Sequence, residues 1–397
     1  MSWASKRVKD IADLVNGFPF ASEDFADAGD VPLVRIRDIL GAEFETFVPR
    51  TAIPPEALIR DADVVIGMDG DFNSVLWKRG RAALNQRVCL LRTRDDNDPR
   101  FLAYAIPSHL TEINELIYST TVKHLSSRDV ASIRLRFPDA QEQKAIADYL
   151  DRETAQIDTL IAKQEQLIAT LRERRDALWS DAFDNAAQSY GTIPLRRVID
   201  SIVDGPFGSS LTSSHYSESG ARVIRLGNIG INSFRNEDHA YIPLEYFEKL
   251  RQHEVMQGDV VVAGLGDERM PLGRATVVPE IGPAIVKADC YRVRPSLAVD
   301  AHFLAWALSA PPTREQVKLL SRGSTRSRLN TSVVREAMIP AVPRTEQSSL
   351  IRDHQDRASN MNTLISRAEK LIALARERRS ALITAAVTGQ IDVHTAA

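Results

Sequence analysis

"EQKAIADYLDRETAQIDTLIAKQEQLIATLRERRDAL", Glu142 to Leu178, returns as "EQSSLIRDHQDRASNMNTLISRAEKLIALARERRSAL", Glu346 to Leu382. The offset stays at 204 over 37 positions, of which 15 are identical. The closest patches are "TLI" (Thr159–Ile161, Thr363–Ile365) and "RERR" (Arg172–Arg175, Arg376–Arg379). An ungapped match of this length reads as an internal duplication. Apolar residues recur at helical spacing in both copies, so each reads as a long amphipathic helix. At about 1.5 Å per residue such a stretch spans roughly 55 Å. Intrinsic propensity alone leaves an isolated helix marginal, so its stripe must be buried, and the other copy is the obvious partner. Each copy follows a whole preceding segment, and an antiparallel pair is compatible with those connections. It would set the two segments about a helix length apart. Leu150, Ile157, Leu160, Leu167 and Leu171 mark the first seam, widened by Ile161 and Ile168; Met361, Leu364 and Leu371 mark the second. His354 and Gln355 stand where the first copy has Leu150 and Asp151, which predicts a weaker apolar seam at that end.

The repetition extends upstream. "LVNGFPFAS" (Leu14–Ser22) resembles "IVDGPFGSS" (Ile202–Ser210), and "VPLVRIRDI" (Val31–Ile39) resembles "ARVIRLGNI" (Ala221–Ile229). "DADVVIGMDGDF" (Asp61–Phe72) resembles "QGDVVVAGLGDE" (Gln257–Glu268), and "STTVKHLS" (Ser119–Ser126) resembles "GSTRSRLN" (Gly323–Asn330). Only the last pair keeps the helical offset, so insertions and deletions fall in the segments before the helices. Four divisions follow: a first domain (1–140), a long helix and polar linker (141–189), a second domain (190–343), and a second long helix with a tail (344–397). Within the domains, short runs such as "DVVIG", "RVCLLRTR", "DVVVAG", "RATVVPE" and "CYRVRP" predict strands. Residues 100–117 and 301–320 predict helices interrupted by proline. The expected fold class is α+β: two loop-rich domains and two long antiparallel coiled-coil helices in a pseudo-twofold repeat.

Composition limits the chemistry. Fifty Lys+Arg against 53 Asp+Glu give a net charge of −3, so any basic surface is local rather than global. Two scattered cysteines suit a reducing cytoplasm and neither a disulfide framework nor a zinc site. The N-terminus has no apolar run of a signal peptide, and no stretch is long and apolar enough to span a membrane. "GMDGD" and "GLGDE" lack the spacing of a nucleotide loop and read as tight turns after strands; the functional alternative is a turn that carries Asn73 toward a ligand. "PDAQEQK" holds Asp139 and Glu142, fragments of a metal-dependent nuclease, but carboxylates three apart at a helix start read more simply as helix-dipole electrostatics. Six basic residues against one acid occupy 71–94, and again 314–335. A matching patch in each copy points to phosphate contacts. The candidate nucleic-acid contacts are Arg35, Arg37, Asn73, Lys78, Arg79 and Lys123 in the first domain. In the second they are Arg225, Asn228, Arg269, Arg326 and Arg328.

The chain resembles the DNA-specificity subunits of type I restriction-modification systems. The resemblance covers essentially all 397 residues and rests on the domain–helix–domain–helix order, the quoted turns, the long repeat and the ending "ERRSALITAAVTGQIDV" (Glu377–Val393). It implies a non-catalytic chain without cofactor that binds double-stranded DNA, each domain reading half of a split target. It also implies two modification subunits carrying adenine methyltransferase and S-adenosylmethionine, and restriction subunits using ATP and Mg. Arg172, Arg174, Arg175, Arg376, Arg378 and Arg379 are then expected in helix pairing or partner docking. The rival readings are a coiled-coil scaffold and a self-contained metal-dependent nuclease.

Overall fold

The computed structural model describes residues 3–116, 123–267, 270–320 and 328–394. Its helices α1 (Pro99–Leu116), α2 (Ala140–Tyr190), α3 (Ala301–Ser309) and α4 (Arg344–Val387) organise everything else. Contacts divide the chain into two units: 1–165 with 370–397, and 166–369. Both divisions fall inside the long helices α2 and α4.

The first unit holds an antiparallel sheet in the order Ala12–Asn16, Val88–Thr93, Val64–Gly67, Ser74–Leu76. Its second sheet runs Phe47–Val48, Val31–Val34, Ala82–Leu84, Leu58–Ile59, with the central pair parallel. The second unit repeats this plan. One sheet runs Ile199–Val203, Cys290–Pro295, Val260–Ala263, Ala275–Val277; the other runs Tyr241–Ile242, Ala221–Ile224, Ala284–Val286, Glu254–Val255, again with a parallel central pair. Val64–Gly67 and Val260–Ala263 are buried throughout, which is why they read as continuous apolar runs rather than alternating ones.

The cores bring sheet and helices together. In the first unit, Val64 and Leu91 pack with Phe101 and Ile106 of α1, Ile146 and Leu150 of α2, and Ala386 and Val387 of α4. In the second, Val260 and Val293 pack with Phe303 and Trp306 of α3, Trp179 and Phe183 of α2, and Ile351 of α4. Leu150 therefore belongs to a domain core. The expected weak end at His354 is packed instead by aromatic rings: the imidazole lies 5.2 Å from the Trp179 ring and 5.8 Å from the Trp306 ring. Burial holds its pKa below the ordinary histidine value.

Proline acts differently in the two domains. Pro107 sits inside a continuous α1. In the second domain, Ala310 is extended (φ −62°, ψ 140°), ending α3 before a further helix at Pro311–Leu320. The residue before a proline is driven out of the helical region, and here the Pro311–Pro312 pair completes the break. The polar stretch expected as a linker after Asn185 stays helical to Tyr190; Gly191, at φ 75°, ends α2, as Gly389, at φ 73°, follows α4. Glycine enters this left-handed conformation without a Cβ penalty.

Within each unit the long helices run in opposite directions. Arg379 pairs with Asp158 at 2.9 Å and Arg376 with Glu165 at 3.1 Å in the first unit. Arg172 meets Glu369 at 2.9 Å and Arg175 meets the Asn362 side chain at 3.3 Å in the second. The buried residues shift the expected seam. On α2 they are Ile157, Ile168 and Leu171; on α4 they are Ala358, Ile365, Ala368, Ile372 and Ala375. Leu160, Leu167, Leu364 and Leu371 stand beside it, 38%, 43%, 46% and 39% exposed, and Met361 is half-buried. Size alone misplaces the stripe, because small alanines occupy inward positions at alternating three- and four-residue spacing. Among the described residues, no helix is long and apolar enough to cross a membrane.

The seam predicts a contrast between neighbours. Ile365→Ala should destabilise the second unit by about 2–4 kcal/mol, the range for deleting buried aliphatic volume. Leu364→Ala should stay within about 0.5 kcal/mol. Urea denaturation of both variants checks it.

Candidate nucleic-acid interface

Three first-domain candidates converge on the turn Ile36–Gly41. Arg35 caps it through Asp38: its backbone N–H and Nε donate to Oδ2 at 3.0 and 3.2 Å. Arg37 reaches Glu45 at 2.8 Å. Arg79 lies over the rings of Phe44 (4.5 Å) and Trp77 (4.2 Å). It donates to the carbonyls of Gly41, Asp38 and Ile39 at 2.5, 2.7 and 3.1 Å. Burial holds its pKa below the ordinary arginine value. These donors are thus engaged in shaping the turn, and Arg79 acts here as an internal clamp.

Asn73 is exposed on the turn that joins Val64–Gly67 to Ser74–Leu76, and Lys78 is exposed just past the second of these strands. The tip of that turn needs glycine freedom, as the sequence implied: Gly70 has φ 77°. Lys123 and Asn114 pin that tip. Lys123 Nζ donates to the Asn114 carbonyl and side-chain oxygens at 2.5 and 2.8 Å, and Asn114 Nδ2 donates to the Gly70 carbonyl at 2.6 Å. His124 Nδ1 lies 2.6 Å from Asp69 Oδ1. This brings Lys123 to the same hairpin as Asn73, while using its charge internally.

The second domain builds corresponding turns with other residues. Arg225 forks onto Asp238, and its N–H donates to Asn228 Oδ1 at 2.8 Å. Asn228 is fully buried, and its Nδ2 donates to the Arg235 and Asp238 carbonyls, each at 2.9 Å. In this arrangement Asn228 acts as an internal stitch, with both amide donors in use. Arg328 is half exposed; it meets Asp289 at 2.6 Å and lies 5.3 Å from the exposed Phe207 ring. Arg269 and Arg326 lie outside the described residues.

Sequence reasoning missed Arg274. It is 3% exposed and donates to five carbonyls, those of Leu226, Ile229, Leu265, Met270 and Pro271. A buried guanidinium needs such acceptors. It gathers two loops, as Arg79 gathers one in the other domain. The motif "GRA" after a glycine turn carried a faint signal, but nothing in it says which way the side chain points.

On the long helices, Arg172, Arg175, Arg376 and Arg379 reach across to the facing helix. Arg174 and Arg378 are exposed and form no ion pair among the described residues. At the start of α2, Asp139 Oδ1 accepts from the Glu142 N–H at 2.9 Å, and Glu142 meets His394 at 2.9 Å. That is a helix cap and a tail contact. Among the described residues, no group of three His, Cys, Asp or Glu could hold a metal.

Asp204 adds a pH-sensitive element. Burial pushes its pKa up to about 6, although Oδ1 accepts from Gly205 and Asp289 N–H at 2.7 and 3.0 Å. The aligned residue of the first domain is Asn16. A raised carboxyl pKa contributes stability that is complete below the ordinary carboxylate range and lost as pH rises through about 6. Asp204→Asn keeps the acceptor and removes the charge. It should raise Tm above pH 6 relative to the parent, and the difference should vanish near pH 4; thermal melts across that range read it directly.

Residues 1–169 match the family model "Type I restriction modification DNA specificity domain". The chain is 27% identical to the type I restriction enzyme EcoBI specificity subunit of Escherichia coli, covering 98% of this chain and 86% of that one. It is 20% identical to the MjaVIII specificity subunit of Methanocaldococcus jannaschii, covering 98% and 93%. A solved structure described under complex assembly and conformational transition of the type I R-M system superposes with a TM-score of 0.72 at 15% identity, covering 98% of both chains. That last likeness shows the fold.

Proposed function

Because this chain belongs to the family of type I restriction-modification specificity subunits, we propose that it is the non-catalytic subunit that reads a two-part double-stranded DNA target, one half by each domain. The observation that carries this reading is the recurrence of one sheet plan, with the same kind of clamped turns at its edge, in both units. Two similar readers on one chain suit two short base patches separated by unread base pairs. Arg35, Arg37, Asn73, Lys78 and Lys123 are the proposed contacts of the first domain. Arg225, Arg269, Arg326 and Arg328 are those of the second. Arginines already held by carboxylates suit phosphate more than base edges, because a fixed guanidinium retains few free donors.

In this reading the long helices form an antiparallel coiled coil with pseudo-twofold repetition, and they act as the ruler between half-sites. The leucines left outside the seam suit partner docking: Leu160 and Leu371 in the first unit, Leu167 and Leu364 in the second. Arg174 and Arg378 are exposed on the same helices. Two modification subunits, carrying the adenine methyltransferase and S-adenosylmethionine, would dock there. Restriction subunits using ATP and Mg would complete the complex, in the cytoplasm.

Mapping of methylated adenine in cells carrying the chain with its modification partner tests the reading. A bipartite motif that disappears when the chain is deleted is expected. With the partner expressed and active, absence of chain-dependent methylation would overturn it in favour of a scaffold. In vitro, Lys78→Ala should weaken DNA binding and reduce the salt slope by about one. Charge reversal of Arg174 and Arg378 together should weaken capture of the modification subunit and leave the helix-pair ion pairs intact.

A further inference from the structure

We propose that Gln143 and Gln347 are positioning residues that fix each recognition domain on its long helix and so set the gap between half-sites. The proposal rests on the functional reading above. Both glutamines stand second in the repeated stretch, one turn into their helices, and are 1% and 2% exposed. Each joins three chain segments through backbone groups. Gln143 Oε1 accepts from the Asp98 N–H at 3.0 Å, just ahead of α1, and Nε2 donates to the Pro138 carbonyl at 2.9 Å. Gln347 Oε1 accepts from the Asp300 N–H at 2.7 Å, at the cap of α3, and Nε2 donates to the Val342 carbonyl at 2.8 Å. The segment leaving the domain, the domain's own helix and the long helix therefore meet on one planar amide.

The surroundings of the two joints share little else. In the first unit Arg100 bridges Asp98, Asp148 and Asp151, and the Tyr104 hydroxyl donates to Asp151 at 2.7 Å. In the second, Arg344 reaches Asp300 at 3.8 Å, and His354 lies among tryptophan rings. Common to both are the glutamine with its paired backbone contacts and the aspartate it meets, whose Oδ1 accepts the N–H two residues on, Arg100 at 2.8 Å and His302 at 2.9 Å. A buried primary amide costs stability unless both its ends are satisfied, so its presence at both joints calls for a role in geometry. A carboxylate of the same length offers no donor, and an apolar side chain offers neither group.

The geometry matters because DNA is discrete. One base pair of extra gap moves a half-site by about 3.4 Å and turns it by about 35°. A domain held firmly on its helix accepts one gap; a loosened domain accepts neighbours of that gap while its reading loops stay unchanged.

The test uses the full chain with its modification partner and maps methylated sites for Gln143→Met and Gln347→Met. Both half-site sequences should match the parent. The share of methylated sites whose gap differs by one base pair should rise by about tenfold, the factor that about 1.4 kcal/mol confers. An unchanged gap in a variant that accumulates and methylates would overturn the proposal, as would altered half-site bases with a single gap. If Gln143→Met fails to accumulate, Gln143→Glu keeps the acceptor for Asp98 and loses the donor to Pro138; it is read by the same two criteria. Absence of a bipartite motif with the parent chain itself would overturn the functional reading, and the joint with it.

Discussion

A helix of 51 residues, charged along most of its length, holds its shape only if one stripe is buried against something. In this chain the stripe is narrow. Ile157, Ile168 and Leu171 on one helix and Ile365, Ala368, Ile372 and Ala375 on the other are buried, while leucines one position away are not. Three- and four-residue spacing leaves little room for insertion, since a single added residue would rotate every following side chain by about 100°. That explains the constant offset through the long repeat, against drifting offsets in the domains. Loops on a sheet edge absorb added residues at small cost; a helix seam does not.

The domains share a scaffold and differ in how it is finished. Arg79 precedes its turn glycine and Arg274 follows its own, yet both guanidinium groups end on the carbonyls of the short turn after a buried strand. Arg79 spreads over two aromatic rings, whereas Arg274 takes five carbonyls. Asn16 in one domain stands where the other has Asp204, whose half-buried carboxyl has a raised pKa. Placing the arginine before the glycine in one domain and after it in the other keeps the turn while changing the loops around it.

Much of this was legible beforehand because the repeat supplied a second reading of every element. "DVVIG" and "DVVVAG" became matching central strands, and "CYRVRP" became a strand over its full length. The seam was legible only to within one residue: a search for large apolar residues selects Leu364, whereas packing selects Ile365 and the small alanines beside it. The interface was least legible. Arginines are the natural choice for DNA, but Asp38, Asp238 and Asp289 already hold Arg35, Arg225 and Arg328; Asp38 stands only three residues on, while no spacing rule anticipates Asp238 or Asp289. Arg274 was missed for the same reason, since it reaches the Leu226 and Ile229 carbonyls more than forty residues before it in sequence. The glutamines at the helix starts were visible as "EQ" in both copies, and their buried contacts needed the fold.

Division of labour between the domains is the central claim, and one exchange tests it most directly. Residues 1–140 would be replaced by the matching segment of a relative with a different methylated motif, keeping Gln143 and both long helices. The account predicts that one half of the mapped motif changes to the donor's, while the other half and the gap persist. Change in both halves, or retention of the original motif, would contradict it.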